Sequence, residues 1–303
     1  MADRLLKSMF AAASVRCEAV RLDHAWRAMI AHHDYPAPVM RLLGEMTAAA
    51  ALLASNIKFN GTLVLQVHGD GPVKLLVVEC QPDLRLRATA KLREGAVIGS
   101  DDGLRPLVNL HGHGRCALTL DPRDRLPGVQ PYQGVVPLDG ESMAEVLEVY
   151  MRQSEQLESR FWLAADGAAA AGVLLQKLPL EGGRSAGSDT DAWERSVTLA
   201  RTLTPAELVA SEPRDILRRL FWQERLQAPS ELAPRFECTC SRERIGRMLL
   251  SLGREEVDSI VAERGTVEVT CDFCNRAYEF DGIDVEQLFA TGSTAQADTA
   301  KPH

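Results

Sequence analysis

The residues in this chain with most chemistry to offer are its cysteines. Four of the seven fall in two close pairs, Cys238-Thr239-Cys240 and, after thirty intervening residues, Cys271-Asp272-Phe273-Cys274. Each pair sets two soft sulfur donors on one tight turn. Two such turns brought together supply the four corners of a tetrahedron, the arrangement in which thiolates hold Zn²⁺ at about 2.3 Å. No histidine lies between Phe236 and Ala290, so a filled site would be all sulfur. One zinc ion per chain, held by Cys238, Cys240, Cys271 and Cys274, is the expected cofactor. Spacing alone leaves open whether such a site is an inert structural knuckle or a switch.

The segment between the pairs must position them. Ile245, Met248, Leu249 and Leu252 recur at helical spacing, and Gly253 and Gly265 sit where left-handed helix C-caps are expected. Thr266 to Thr270 alternates like a strand, and Arg276 to Phe280 reads as another. A module of roughly fifty residues is marginal without a staple. Structural zinc contributes about 10–16 kcal/mol, as much as the whole stability of a typical domain. Removing the metal should therefore unfold the module.

Composition bounds the rest. The chain has 303 residues, 46% hydrophobic and 25% charged, which is ordinary for a globular protein with one substantial core and a small second module. Its 34 basic and 42 acidic side chains give a net charge of −8, against a general affinity for nucleic acid or anionic membrane. Three scattered cysteines, Cys17, Cys80 and Cys116, do not resemble a secreted disulfide framework and are expected as small buried hydrophobes, in keeping with a reducing cytoplasm. The N-terminal apolar run is brief and continues into Arg16, Glu18 and Arg21, so no signal peptide is read. The longest apolar stretch, Met46 to Ile57, is too short to span a bilayer and is expected as a buried helix.

In chain order, a weak strand or helix runs up to Arg21, a helix follows near His24 to His32, and Pro36 and Pro38 enforce a break. An Ala-rich helix from Val39 to Asn56 precedes strands at Thr62 to His68, Val73 to Cys80, Leu84 to Ala90, Arg115 to Leu120 and Tyr132 to Val136, read as an antiparallel meander. An amphipathic helix within Glu141 to Leu157 buries Met143, Val146, Leu147, Tyr150 and Met151, and strands at Arg160 to Ala165 and Ala170 to Leu178 complete an α+β domain. After Pro179 the sequence EGGRSAGSDTD offers almost nothing to bury. Helices near Trp193 to Leu203, Pro205 to Ala210 and Arg214 to Gln223 follow, with narrow apolar faces that must lean on the first domain. The expected division is an antiparallel-sheet core with packed helices at 1–180, a metastable helical linker at 181–237, the metal module at 238–290, and a disordered polar tail at 291–303.

These residues carry a resemblance. Cys238-Thr239-Cys240-Ser241-Arg242-Glu243-Arg244, Glu256-Val257-Asp258-Ser259-Ile260, and Cys271-Asp272-Phe273-Cys274 with Tyr278 and Phe280 resemble the zinc module of the 33-kilodalton heat-shock protein family of redox-regulated chaperones. His33-Asp34-Tyr35-Pro36, Gly69-Asp70-Gly71-Pro72, Tyr132-Gln133-Gly134-Val135-Val136, Arg152-Gln153-Ser154-Glu155-Gln156-Leu157 and Ala170-Ala171-Gly172-Val173-Leu174-Leu175-Gln176 fall in the family's order. Pro137 departs from the small residue expected after that fifth strand motif.

The resemblance implies a cytoplasmic, ATP-independent holdase and no enzyme, idle when reduced and zinc-bound. Oxidation would join Cys238 to Cys240 and Cys271 to Cys274, release zinc, unfold the module and free the linker. It implies unfolding client proteins as partners, and a homodimer on oxidative activation. Two other classes are weighed against it. A zinc ribbon for nucleic acid needs a basic face, but Cys238 to Ala290 holds six Arg and no Lys against eleven acidic residues. A thiol oxidoreductase using Cys271 and Cys274 needs a helix starting at that pair, where the pattern reads as strand. The His111-Gly112-His113-Gly114-Arg115 stretch and His32-His33 read as a polar loop and a helix end rather than ligand sites.

Overall fold

A run of four alanines, Ala48 to Ala51, decides how the layers pack. All four are fully buried in the helix Ala37–Ala54, and their small side chains let sheets approach it on either side. The computed structural model describes residues 2–11, 13–57, 59–124, 131–179 and 191–298, the last seven as backbone alone. In order the elements are β1 (Arg4–Met9), β2 (Val15–Leu22), α1 (His24–Ile30), α2 (Ala37–Ala54), β3 (Gly61–His68), β4 (Val73–Cys80), β5 (Arg85–Leu92), α3 (Leu104–Val108), β6 (Arg115–Pro122), β7 (Tyr132–Pro137), α4 (Met143–Gln153), β8 (Glu158–Ala165) and β9 (Ala170–Lys177). There follow α5 (Ala192–Ala200), α6 (Pro205–Ala210), α7 (Pro213–Leu220), β10 (Ser230–Leu232), β11 (Arg235–Phe236), α8 (Arg242–Leu252), α9 (Arg254–Arg264), β12 (Thr266–Thr270), β13 (Ala277–Asp281) and α10 (Gly282–Asp298). Contacts group them into two units, Met1–Glu237 and Cys238–His303.

The first unit holds two sheets, in the orders β10-β1-β2-β9-β8 and β11-β5-β4-β3-β6-β7. Neighbours are antiparallel except β11 with β5. The sequence suggested one meander, but only β3, β4 and β5 form one. The sixth strand returns to the free side of β3, which places β7 at an edge, and there Pro137 costs nothing because an edge strand does not need its missing N–H. The opening segment, ambiguous in sequence, is the hairpin β1–β2 at the heart of the other sheet. The short α3 was not anticipated. The expected core face of α4, Met143, Val146, Leu147, Tyr150 and Met151, is buried as read. The long apolar helix α2 meets the length and hydropathy of a membrane span, yet 78% of that window is buried inside the unit.

The sheet β10-β1-β2-β9-β8 is covered on both faces, which explains why Ala170 to Leu175 reads as a continuous apolar run rather than an alternation. One face packs on α2. The other receives α5, α6 and α7, whose Trp193, Val197, Leu208, Ile216, Leu217 and Phe221 form a second core with Leu6, Phe10, Cys17, Ala19, Val173 and Leu175. The linker's apolar faces are thus wider in effect than its sequence suggested, because the sheet supplies half of that core. Thr204 accepts a hydrogen bond from the Glu207 amide, as its capping-box spacing requires. Two short strands missed in sequence, β10 against β1 and β11 against β5, clasp the end of the linker to both sheets. The Gly/Ser-rich start of the linker lies almost wholly outside the described residues.

Cys17, Cys80 and Cys116 are buried, and burial pushes the thiols of Cys17 and Cys116 up to about 12. They are inert space-fillers. His111 and His113 donate their backbone N–H groups to Asp70 Oδ2, so that loop is held by a carboxylate rather than shaped for an anion. His33 stacks on Tyr35 at 4.8 Å. On α2, burial outweighs the attraction of Arg41 and pushes the Glu45 carboxyl up from 4.5 to about 7. The unfolded chain ionises first as pH rises, so the stability tied to neutral Glu45 is whole below 4.5 and is lost as pH climbs through about 7. Glu45→Gln should therefore leave stability near pH 4 unchanged and raise it by about 3 kcal/mol at pH 8. Urea melts at the two pH values check this, and equal melts for both proteins at pH 8 contradict it.

Candidate metal centre

The second unit has a small core, Leu249, Val257, Val267, Phe280 and Val285. Of the helical stripe read in sequence only Leu249 reaches it deeply, while Met248 and Leu252 are 42% and 54% exposed. Ser241 caps α8 by accepting the Arg244 amide, which ends the extended Cys238–Cys240 segment at a fixed point. Gly253 (φ 95°) closes α8 and opens α9, and Gly265 (φ 82°) lets α9 turn into β12. Gly253 has ψ 152°, so it is an extended junction rather than the left-handed cap expected. At the other pair a knuckle forms between β12 and β13. The Cys271 amide donates to the Arg276 carbonyl, the Asn275 amide donates to the Cys271 carbonyl, and Asn275 takes the left-handed conformation that asparagine tolerates. The expected second strand is β13, and α10 continues as helix to Asp298 through part of the stretch whose composition suggested a disordered tail.

These turns bring together all four sulfurs predicted from spacing. Cys238 Sγ lies 3.6 Å from Cys271 Sγ and Cys240 Sγ lies 3.4 Å from Cys274 Sγ. All four fall within 4.8 Å of one another, the only such set of potential metal ligands among the described residues. A tetrahedron with bonds of about 2.3 Å has edges of about 3.8 Å, so the sulfurs stand where one metal ion would hold them. The distances are far beyond the roughly 2.05 Å of a disulfide, and all seven cysteines are free thiols. Cys271 is buried and the other three are half-buried, a site closed to bulk water on one side but reachable by a small oxidant.

The sulfurs are not equivalent. Burial opposes ionisation of Cys240, but the Tyr278 hydroxyl and the neighbouring sulfurs overcome it and bring that thiol down to about 7. Burial pushes Cys274 up to about 12. Of these two, Cys240 gives up its proton first, and ligation would make thiolates of all four. The Tyr278 hydroxyl donates to Cys240 Sγ at 3.1 Å. Sequence reading noted Tyr278 only as part of a motif. Its contact with Cys240 needs the β12–β13 register, Val269 opposite Tyr278, which no spacing rule supplies. Arg242 braces the module, lying 4.2 Å over the Phe280 ring while pairing with Asp284 at 2.6 Å.

Comparison with known proteins bears on the chain as a whole. The family model described as Hsp33 protein matches residues 3–281. The 33 kDa chaperonin of Methylobacillus flagellatus is 46% identical over 292 residues, covering 96% of both chains. That of Chromobacterium violaceum is 44% identical over 300 residues, covering 99% of this chain and 98% of its own. The crystal structure of the 33 kDa chaperonin from Thermotoga maritima superposes with a TM-score of 0.80 over 97% of this chain and all of that one, at 21% identity, so it speaks for the fold. With the family model and relatives of this identity matching nearly end to end, the chain belongs to the Hsp33 family of 33 kDa chaperonins.

Proposed function

We propose that this chaperone is a redox-regulated holdase of the cytoplasm, a non-enzyme that needs no ATP, held idle by zinc on Cys238, Cys240, Cys271 and Cys274. One observation carries the reading: four free thiols stand at tetrahedral spacing, and the first lies two residues past β11, the last strand of the linker. The donor set fits zinc, since four soft, poorly exposed sulfurs without nitrogen or oxygen partners favour it over hard cations. When bound, zinc fixes the four thiolates and ties two distant turns together. Oxidation then joins Cys238 to Cys240 and Cys271 to Cys274. The nearest sulfurs in the reduced site run across the pairs, but ligation is what holds them there. Once it is lost, closing a ring across some thirty residues costs about 2 kcal/mol more in chain entropy than closing one within a pair.

The module then unfolds, the tether on β11 slackens, and α5, α6 and α7 leave the sheet. Leu217, Phe221 and the sheet residues under them become apolar surface for unfolding clients and for a second copy of the chain, giving an active homodimer. Nucleic acid and membrane are not partners in this reading, because the zinc module is acidic. A CxxC oxidoreductase is disfavoured by β13, which follows Cys274 where that chemistry wants a helix N-terminus. Metal content and light scattering of a heat-denatured client, each before and after peroxide, test the proposal together. One zinc lost per chain as scattering is suppressed is the expected result. Zinc retained in a chain that suppresses scattering would make the site a staple instead of a switch.

A further inference from the structure

We propose that the Tyr278 hydroxyl sets the oxidant threshold of the sulfur cluster by holding charge on Cys240 Sγ, so that Tyr278 is a positioning residue for the redox step. This rests on the metal and redox reading given above. The hydroxyl donates to Cys240 Sγ at 3.1 Å, from a half-buried ring anchored against the module's core. The Arg276 side chain is hydrogen-bonded to the same tyrosine. A guanidinium can only donate, so it takes the phenolic oxygen and leaves the hydroxyl proton for sulfur, which strengthens the tyrosine as a donor. Phe280, two residues on along β13, is buried and fixes that face of the strand. Tyr278 is thereby aimed at one sulfur out of four.

The chemistry that this bond opposes can be written with hydrogen peroxide as oxidant. A thiolate sulfur attacks the O–O bond, an S–O bond forms, and hydroxide leaves. A second thiolate then attacks the sulfenic sulfur, an S–S bond forms, and the second oxygen leaves as hydroxide. Two electrons pass from two sulfurs to the O–O bond. In the first step the attacking sulfur gives up its negative charge. A hydrogen bond to that charge is stronger before the transition state than in it, so it slows attack by the sulfur that accepts it. Cys240 is then slower to react than the same sulfur without its donor, and the cluster as a whole is less sensitive than one lacking that donor.

The test uses the full-length, zinc-loaded chain with Tyr278→Phe, which keeps the ring and removes only the donor. Zinc release under hydrogen peroxide is followed with a chromogenic chelator, and sulfenic acids are trapped with a dione probe and located by mass spectrometry. Tyr278→Phe should keep one zinc and an unchanged melting temperature, release zinc about 3- to 10-fold faster, and raise the trapped fraction at Cys240. Arg276→Gln, an exposed substitution, should shift both readouts the same way by less, and stands in if the first variant does not fold. A release rate within twofold of the unaltered chain with zinc fully bound, or a trapped fraction at Cys240 no higher than in that chain, would overturn this inference alone. An unaltered chain that binds no zinc would overturn the reading of the site and this inference with it.

Discussion

A Cys238→Ser chain is expected to purify without metal, with residues 238–290 unfolded and the linker helices α5, α6 and α7 released, while α2 and strands β1 to β9 keep their fold. The reason lies in the size of the two cores. The first unit buries an extensive core around α2, whereas the core cluster among the described residues of the second is Leu249, Val257, Val267, Phe280 and Val285. Five such side chains contribute on the order of 10 kcal/mol before any ordering cost, and a structural zinc site contributes about as much again. Three sulfurs do not make a closed tetrahedral site, so losing one ligand loses most of that second share. Cys240→Ser, Cys271→Ser and Cys274→Ser should behave alike, and serine at Cys17, Cys80 or Cys116 should leave the metal in place. Metal analysis with circular dichroism of each variant decides the matter. Full zinc in any of the first four, or its loss from any of the last three, would remove the assignment.

Truncating Phe221 should have the second largest effect and at a different place. Phe221 is 1% exposed and meets Phe10 edge to face at 5.2 Å and 68°, the aromatic pin between the linker and the sheet. Phe221→Ala should cost about 3–5 kcal/mol, and that loss falls mostly on linker docking because Phe10 lies at the β1–β2 turn, outside the linker. The expected outcome is a reduced, zinc-bound chain whose linker amides exchange readily and which suppresses client aggregation without oxidant. Trp222, the next residue, is 73% exposed, so Trp222→Ala should change neither property. A Phe221→Ala chain that stays protected and idle would mean that the linker does not cover the client surface.

The contrast between those neighbours shows where sequence reading ends. Phe221 and Trp222 stand side by side in an aromatic, charged run, and only the sheet beneath the linker tells the pinned ring from the free one. The metal ligands were legible because their chemistry is local: two pairs of thiols, each on its own turn, need no knowledge of the fold to be grouped. The strands from β3 to β9 were legible for a similar reason, since alternation in Thr62 to His68 is a local signal. Their partners were not. That β6 returns to β3, or that Ser230–Leu232 and Arg235–Phe236 add edges to two different sheets, depends on pairings far apart in sequence. The Tyr278 contact is of this kind, and so is the elevated carboxyl of Glu45, which follows from burial that the Ala-rich helix pattern does not assign to one residue.

Peptide-resolved hydrogen exchange on the full chain, reduced and then treated with hydrogen peroxide, tests the central claim most directly when read beside suppression of client aggregation. Oxidation should strip protection from residues 238–290 and from the linker residues 191–237, leave α2 and the β3–β6 pairing protected, and switch on suppression in the same sample. An oxidised chain that suppresses aggregation while residues 191–237 keep their reduced-state protection would contradict the account and place the client surface elsewhere on the first unit.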